Sequence, residues 1–180
     1  MQGIVTSQAR FEHALNAVLQ DEGGYSDDLD DPGGATNLGI TQSDLNQWSK
    51  KLGLPPTVKE LTRNDASIFY KVLWWDKYNY NAINSLVIAT KVFDLAVNMG
   101  AVEAHKLVQR ALNYSGYGLQ EDGVLGRKTL DAINEMCLHG REEDLDNEIK
   151  EEATHYYETI TEERPKLYKF LNGWIKRADE

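Results

Sequence analysis

Glu22, Asp31 and Thr36 are the residues whose types and spacing could do chemistry. Eight residues separate the first pair and four the second, so one turnback in EGGYSDDLDDPGGATNLGIT faces all three side chains across a cleft. Gly23 and Gly24 permit positive φ where a helix stops, and Pro32-Gly33-Gly34 is a turn signal in which proline fixes one φ and glycine supplies the other sign. A carboxylate in the last turn of a helix meets the negative end of the helix dipole, which disfavours the charged form and raises its pKa. Glu22 is thereby suited to general-acid work. The matching chemistry is glycoside hydrolysis: Glu22 protonates the leaving oxygen, Asp31 handles water or positive charge at the sugar, and Thr36 orients water. The plainer account of the same residues is a surface turn after a solvated helix end.

EGGY at Glu22, DPGGATNLGIT at Asp31, DLAVNMG at Asp94, DGVLGRKT at Asp122 and FLNGWIKR at Phe170 occur in that order along nearly the whole chain. Together they resemble glycoside hydrolase family 108. The resemblance implies a mainly α, lysozyme-like α+β domain with a small β hairpin beside the active-site cleft. It implies N-acetylmuramidase activity of the kind found in phage endolysins and in the muramidase that releases typhoid toxin. It also implies peptidoglycan glycan strands as partner, a C-terminal peptidoglycan-binding region, and Glu22 as catalytic acid. The Glu, Asp, Thr order is similar to the triad of phage-type lysozymes, with one residue fewer between Asp31 and Thr36. A lytic transglycosylase, a non-catalytic peptidoglycan-binding protein and a chitin-directed hydrolase are the alternatives. Hydrolysis with inversion is expected if a second group activates water on the face opposite Glu22.

These residues need elements to position them. Phe11, Leu15, Val18 and Leu19 follow helical spacing, predicting a helix from Ser7 to Glu22 that carries the acid. Residues 23 to 40 read as a loop with a short hairpin, in which Leu38-Gly39-Ile40-Thr41 is β-friendly. Thr41 opens a helix through Leu52, with Asp44 as its capping partner and Gly53 as its stop. Thr57 and Glu60 spell a capping box for a short helix, and another is predicted from Asn64 to Trp75. Tyr25, Trp75 and Tyr78 are candidate saccharide contacts, each with core packing as the alternative.

Ser85 to Met99 is apolar on nearly every side, the pattern of a central buried helix. Asp94 and Asn98 interrupt it on one face, either tying it to a neighbouring loop or lining the cleft opposite Glu22. Asn98 is the better cleft candidate. A helix from Val102 to Tyr114 precedes a Gly-rich loop whose Asp122-Gly123 is a turn signal similar to that of peptidoglycan-binding modules. Helix follows from Arg127 to His139. Residues 141 to 163 hold ten acidic and two basic residues, yet Leu145, Ile149, Ala153, Tyr156 and Ile160 mark one amphipathic helix. Pro165 breaks or restarts it, and the basic, aromatic end is expected to dock on the core. One catalytic unit is expected over 1–180, with a lobe at 7–92 and a helical, peptidoglycan-binding region at 93–177.

Composition excludes several classes. A net charge of −10 argues against nucleic acid, which needs clustered Lys and Arg. No run of about 18 apolar residues exists to span a bilayer. The N-terminus lacks the basic start and apolar centre of a signal peptide, so a wall-directed protein made in the cytoplasm needs a holin or another release route. His13, His105, His139, His155 and the single Cys137 have no metal-ligand spacing, so no metal or cofactor is expected, and Cys137 reads as a small core residue. A monomer is expected.

Overall fold

The computed structural model describes residues 6–21, 24–26 and 35–179. The chain forms two compact units, Met1–Lys77 and Tyr78–Glu180. It is mainly α, with one small antiparallel hairpin among the described residues.

In the first unit, α1 (Ser7–Asp21) buries Phe11, Ala14, Leu15 and Val18 completely. Their spacing of three and four residues makes one stripe down the helix. On its flank Glu12 accepts from the Arg63 guanidinium at 3.4 Å and from the Ser67 hydroxyl, while Arg63 also bonds Asn16. The hairpin follows as β1 (Thr36–Asn37) and β2 (Ile40–Thr41), with Thr36 opposite Thr41 and Asn37 opposite Ile40. Leu38-Gly39 is therefore the turn and not part of a strand. Both residues have positive φ, 52° and 73°, as a two-residue turn matching strand twist requires. The left-handed conformation is unfavourable for leucine, and the Tyr70 hydroxyl holds it by donating to the Leu38 carbonyl at 3.0 Å.

Thr41 caps α2 (Gln42–Leu52) by accepting from the Asp44 N–H, and Gly53 ends it with φ 68°. Thr57 does not start an α-helix. Its hydroxyl bonds the Glu60 carboxylate instead of a backbone N–H, and residues 58–60 form only a 3-10 turn. The true capping box is Thr62 with Asp65, which opens α3 (Arg63–Tyr70). A single π turn, Lys71–Trp75, then replaces the α-helix expected to reach Trp75. A π turn closes with bonds five residues apart, seen here as Asp76 N–H to Lys71 carbonyl at 2.8 Å. Trp75 is fully buried and packs on Phe11 at 5.7 Å between ring centres, while Trp74 meets Tyr70 at 5.6 Å.

The second unit is built around α4 (Leu86–Met99), capped by Ser85 and buried over most of its length. The division at residues 92 and 93 drawn from sequence falls inside this helix. Against it pack α5 (Ala101–Tyr114) and α7 (Glu142–Glu163), with α6 (Arg127–Leu138) beyond. The buried stripe of α7 advances by four at each step: Leu145, Ile149, Ala153, Tyr157 and Thr161. Tyr156 and Ile160, expected in that stripe, lie one residue off and are half-buried. After Pro165 a 3-10 turn leads into α8 (Tyr168–Asp179). Cys137 is half-buried on α6, and burial pushes its thiol pKa up.

Two charged residues of α4 fasten the end of α8. Asp94 accepts from Arg177 Nη2 at 2.8 Å and from its Nε at 3.1 Å, with both side chains nearly buried. Lys91 donates to the Ala178 carbonyl at 2.7 Å, neutralising the negative end of α8. Asp94 thus joins two helices, where the sequence reading had it either tie α4 to a neighbouring loop or line the cleft. Removing one partner of a nearly buried pair leaves the other charge desolvated and alone. Arg177→Ala is expected to lower stability by about 2–4 kcal/mol in urea titration, and Asp94→Asn with Arg177→Leu together to recover part of it.

Candidate functional site

Glu22 and Asp31 lie outside the described residues, and the structure defines what flanks them. α1 delivers the chain to Asp21 with no basic side chain in its last turn. Beyond the acid, Ser26 and Thr36 form an antiparallel bridge with both N–H to carbonyl bonds at 2.8 Å. Thr36 is therefore held twice, by Ser26 on one side and Thr41 on the other. This fixes its backbone at the start of the hairpin, and Asn37 anchors the hairpin in turn by donating to the Val58 carbonyl at 2.8 Å.

Among the candidate sugar contacts, Tyr25 is 46% exposed, with Lys59 Nζ 5.8 Å from its ring centre. Trp75 is 0% exposed, and this corrects the sequence reading, because a ring without an accessible face cannot stack on a polymer. It belongs to the core of the first unit. Tyr78, in the second unit, is half-buried with its ring 5.1 Å edge-on to His105. Asn98 is half-buried near the end of α4, one turn past Asp94.

The second unit contains a polar device that the sequence reading passed over. His105, Gln109 and Asn113 recur every four residues on α5, and all three hold the loop of residues 115–126. His105 Nδ1 lies 2.9 Å from the Gly123 carbonyl, and its Nε2 lies 2.9 Å from the Tyr80 hydroxyl. A carbonyl only accepts, so Nδ1 carries the proton, Nε2 accepts, and Tyr80 donates. Burial raises the Tyr80 pKa and lowers that of His105, so both stay neutral, as this chain of bonds requires. Gln109 accepts from the Gly123 N–H at 2.8 Å and donates to Asp122 Oδ1 at 2.8 Å. Asn113 bonds both backbone groups of Leu119. Bonds from Gln109 and from the Val124 N–H hold the Asp122 carboxyl below its usual range.

Gly123 explains why the turn is Asp-Gly. Its φ is 74°, and a Cβ there would lie 2.6 Å from the Val102 carbonyl oxygen. The legible signal for this device was two polar residues, His105 and Gln109, at spacing four inside the otherwise apolar face of α5.

Residues 15–100 match the family described as Glycosyl hydrolase 108, and residues 103–179 match the Predicted Peptidoglycan domain. The solved structure titled "Structure of Brucella abortus SagA" is 30% identical, with a TM-score of 0.75, covering 96% of this chain and 91% of that one. The chain belongs to the glycosyl hydrolase 108 family. It is a glycoside hydrolase of lysozyme-like, mainly α fold whose substrate is peptidoglycan, and the non-catalytic alternative is set aside. No protein of curated function matches it in sequence. Among the described residues, no helix is long and apolar enough to cross a membrane.

The buried His105 makes stability depend on pH. The unfolded imidazole takes a proton near 6.5, whereas the folded one resists to lower pH. The unfolded state therefore binds more protons below 6.5, so stability is level above that value and falls as pH drops through it. Thermal melts between pH 7.5 and 5.5 are expected to show a steeper loss for the wild type than for His105→Gln.

Proposed function

We propose that this family 108 enzyme is an N-acetylmuramidase, hydrolysing the β-1,4 bond that follows N-acetylmuramic acid, with Glu22 as general acid. The observation that supports the assignment is the family match over residues 15–100, which takes in Glu22 and its EGGY motif. In the sequence Glu22 directly follows Asp21, the last residue of α1. A carboxyl group at the C-terminal end of a helix is disfavoured as an anion by the helix dipole. A protonated carboxyl is what the acid step of glycoside hydrolysis requires.

In the proposed reaction Glu22 gives its proton to the glycosidic oxygen, which leaves as the 4-hydroxyl of N-acetylglucosamine. Asp31 removes a proton from a water whose oxygen bonds to C1 from the opposite face, inverting the anomeric centre. Thr36, held on both sides by backbone pairing, orients that water. Tyr25 supplies an exposed ring for a sugar face, and within the second unit Asn98 and Tyr78 are half-buried candidates for saccharide contact. The enzyme acts as a monomer.

Digestion of purified peptidoglycan, with products reduced and weighed, tests the reading. A new reducing end on muramic acid is expected, with the inverted anomer first in NMR. Products lighter by one water would mean a 1,6-anhydro ring and a lytic transglycosylase, and a reducing end on glucosamine would mean the other glycosidic bond. A retained anomer would remove Asp31 as a water-activating base.

A further inference from the structure

The loop that α5 holds in place encloses a concavity of about 550 Å³, and its walls are charged. Tyr117, Gln120, Asp122, Arg127 and Lys128 contribute to its lining. We infer that this concavity binds the peptide stem of peptidoglycan rather than its glycan, an inference that rests on peptidoglycan being the substrate.

Charge separates the two ligands. The N-acetylated sugars of the glycan are neutral where a stem is attached, so a sugar gains little from fixed ions and most from aromatic faces. The stem carries carboxylates and free amines. Asp122 stays ionised because Gln109 and the Val124 N–H bond its carboxylate, giving a fixed anion for an amine. Arg127 is almost fully exposed, with Asp131 at 3.5 Å, and Lys128 follows it in the sequence and is also exposed, giving two cations for carboxylates. In a molecule of net charge −10, these cations give the concavity an attraction for carboxylates that the whole surface lacks.

The walls are also built in advance. His105, Gln109 and Asn113 bond the backbone at Gly123 and Leu119 within the protein itself. Gly116, Gly118 and Gly123 adopt positive φ, which side chains resist. A loop already ordered loses little entropy when a ligand arrives.

The test uses the full chain and the double variant Arg127→Gln, Lys128→Gln, both positions being exposed and outside the core. Two substrates are compared: intact peptidoglycan, and glycan strands stripped of stems by an amidase. A soluble stem tetrapeptide is titrated by calorimetry in parallel. The variant is expected to bind tetrapeptide roughly tenfold more weakly and to show a raised KM on intact peptidoglycan with kcat kept. On stripped strands it is expected to equal the wild type. Unchanged tetrapeptide affinity, or an equal loss on both substrates, overturns the stem assignment while leaving the muramidase reading in place. If neither protein cleaves either substrate, the muramidase reading fails, and the titration alone still decides whether the concavity takes the stem.

Discussion

The buried stripe of α1 fixes the rotation of that helix about its own axis. A slip of one residue turns an α-helix by about 100° and would carry Phe11, Leu15 and Val18 out of the core, at about 1.5–3 kcal/mol for each. Phe11 also packs on Trp75, and Glu12 and Asn16 are bonded to Arg63 on the flank, so the angle is set from two directions. The hairpin is fixed just as firmly by Asn37, by Tyr70 and by the bridge from Ser26 to Thr36. In the sequence the proposed acid Glu22 directly follows α1 and the proposed Thr36 opens the hairpin, so each of these two rigid elements adjoins a residue of the proposed site.

The second unit solves a different problem with similar means. Its central helix is too apolar to carry surface polarity, yet it places Lys91 and Asp94 where they meet the end of α8. Arg110 works the same way at the other side of α5, meeting Glu103 at 2.8 Å and the nearly buried Glu152 of α7 at 3.1 Å. These ions join elements distant in sequence. The ladder of His105, Gln109 and Asn113 is comparable, except that it is spent on a loop and not on another helix. A helix that uses three side chains to shape one loop gives that loop a definite surface, and the concavity of residues 117–129 is the surface produced.

Much of the fold was legible because it rests on periodicity. The apolar spacing of α1, α4 and α7, the cap at Thr41 and the stop at Gly53 are local signals, and local chemistry decided them. The reading failed where tertiary contacts overrode local ones. Thr57 and Glu60 have the composition of a capping box but bond each other, while Thr62 and Asp65 form the real one. The π turn at Lys71–Trp75 inserts one residue that no pattern of types announces, and with it Trp75 passes from candidate sugar platform to core. Leu38 in a left-handed turn is equally illegible, since its support comes from Tyr70 far along the chain. Of the site, the motifs carried the family, while the ladder on α5 needed the structure to show what its polar residues hold.

The central claim is that Glu22 is the proton donor, and one comparison addresses it directly: turnover of purified peptidoglycan by the wild type and by Glu22→Gln, with both proteins shown to melt alike. Glutamine preserves shape and polarity but has no carboxylic proton to give. Turnover is predicted to fall by about two to four orders of magnitude with stability unchanged. Equal turnover by the two proteins would place the acid elsewhere and contradict the account.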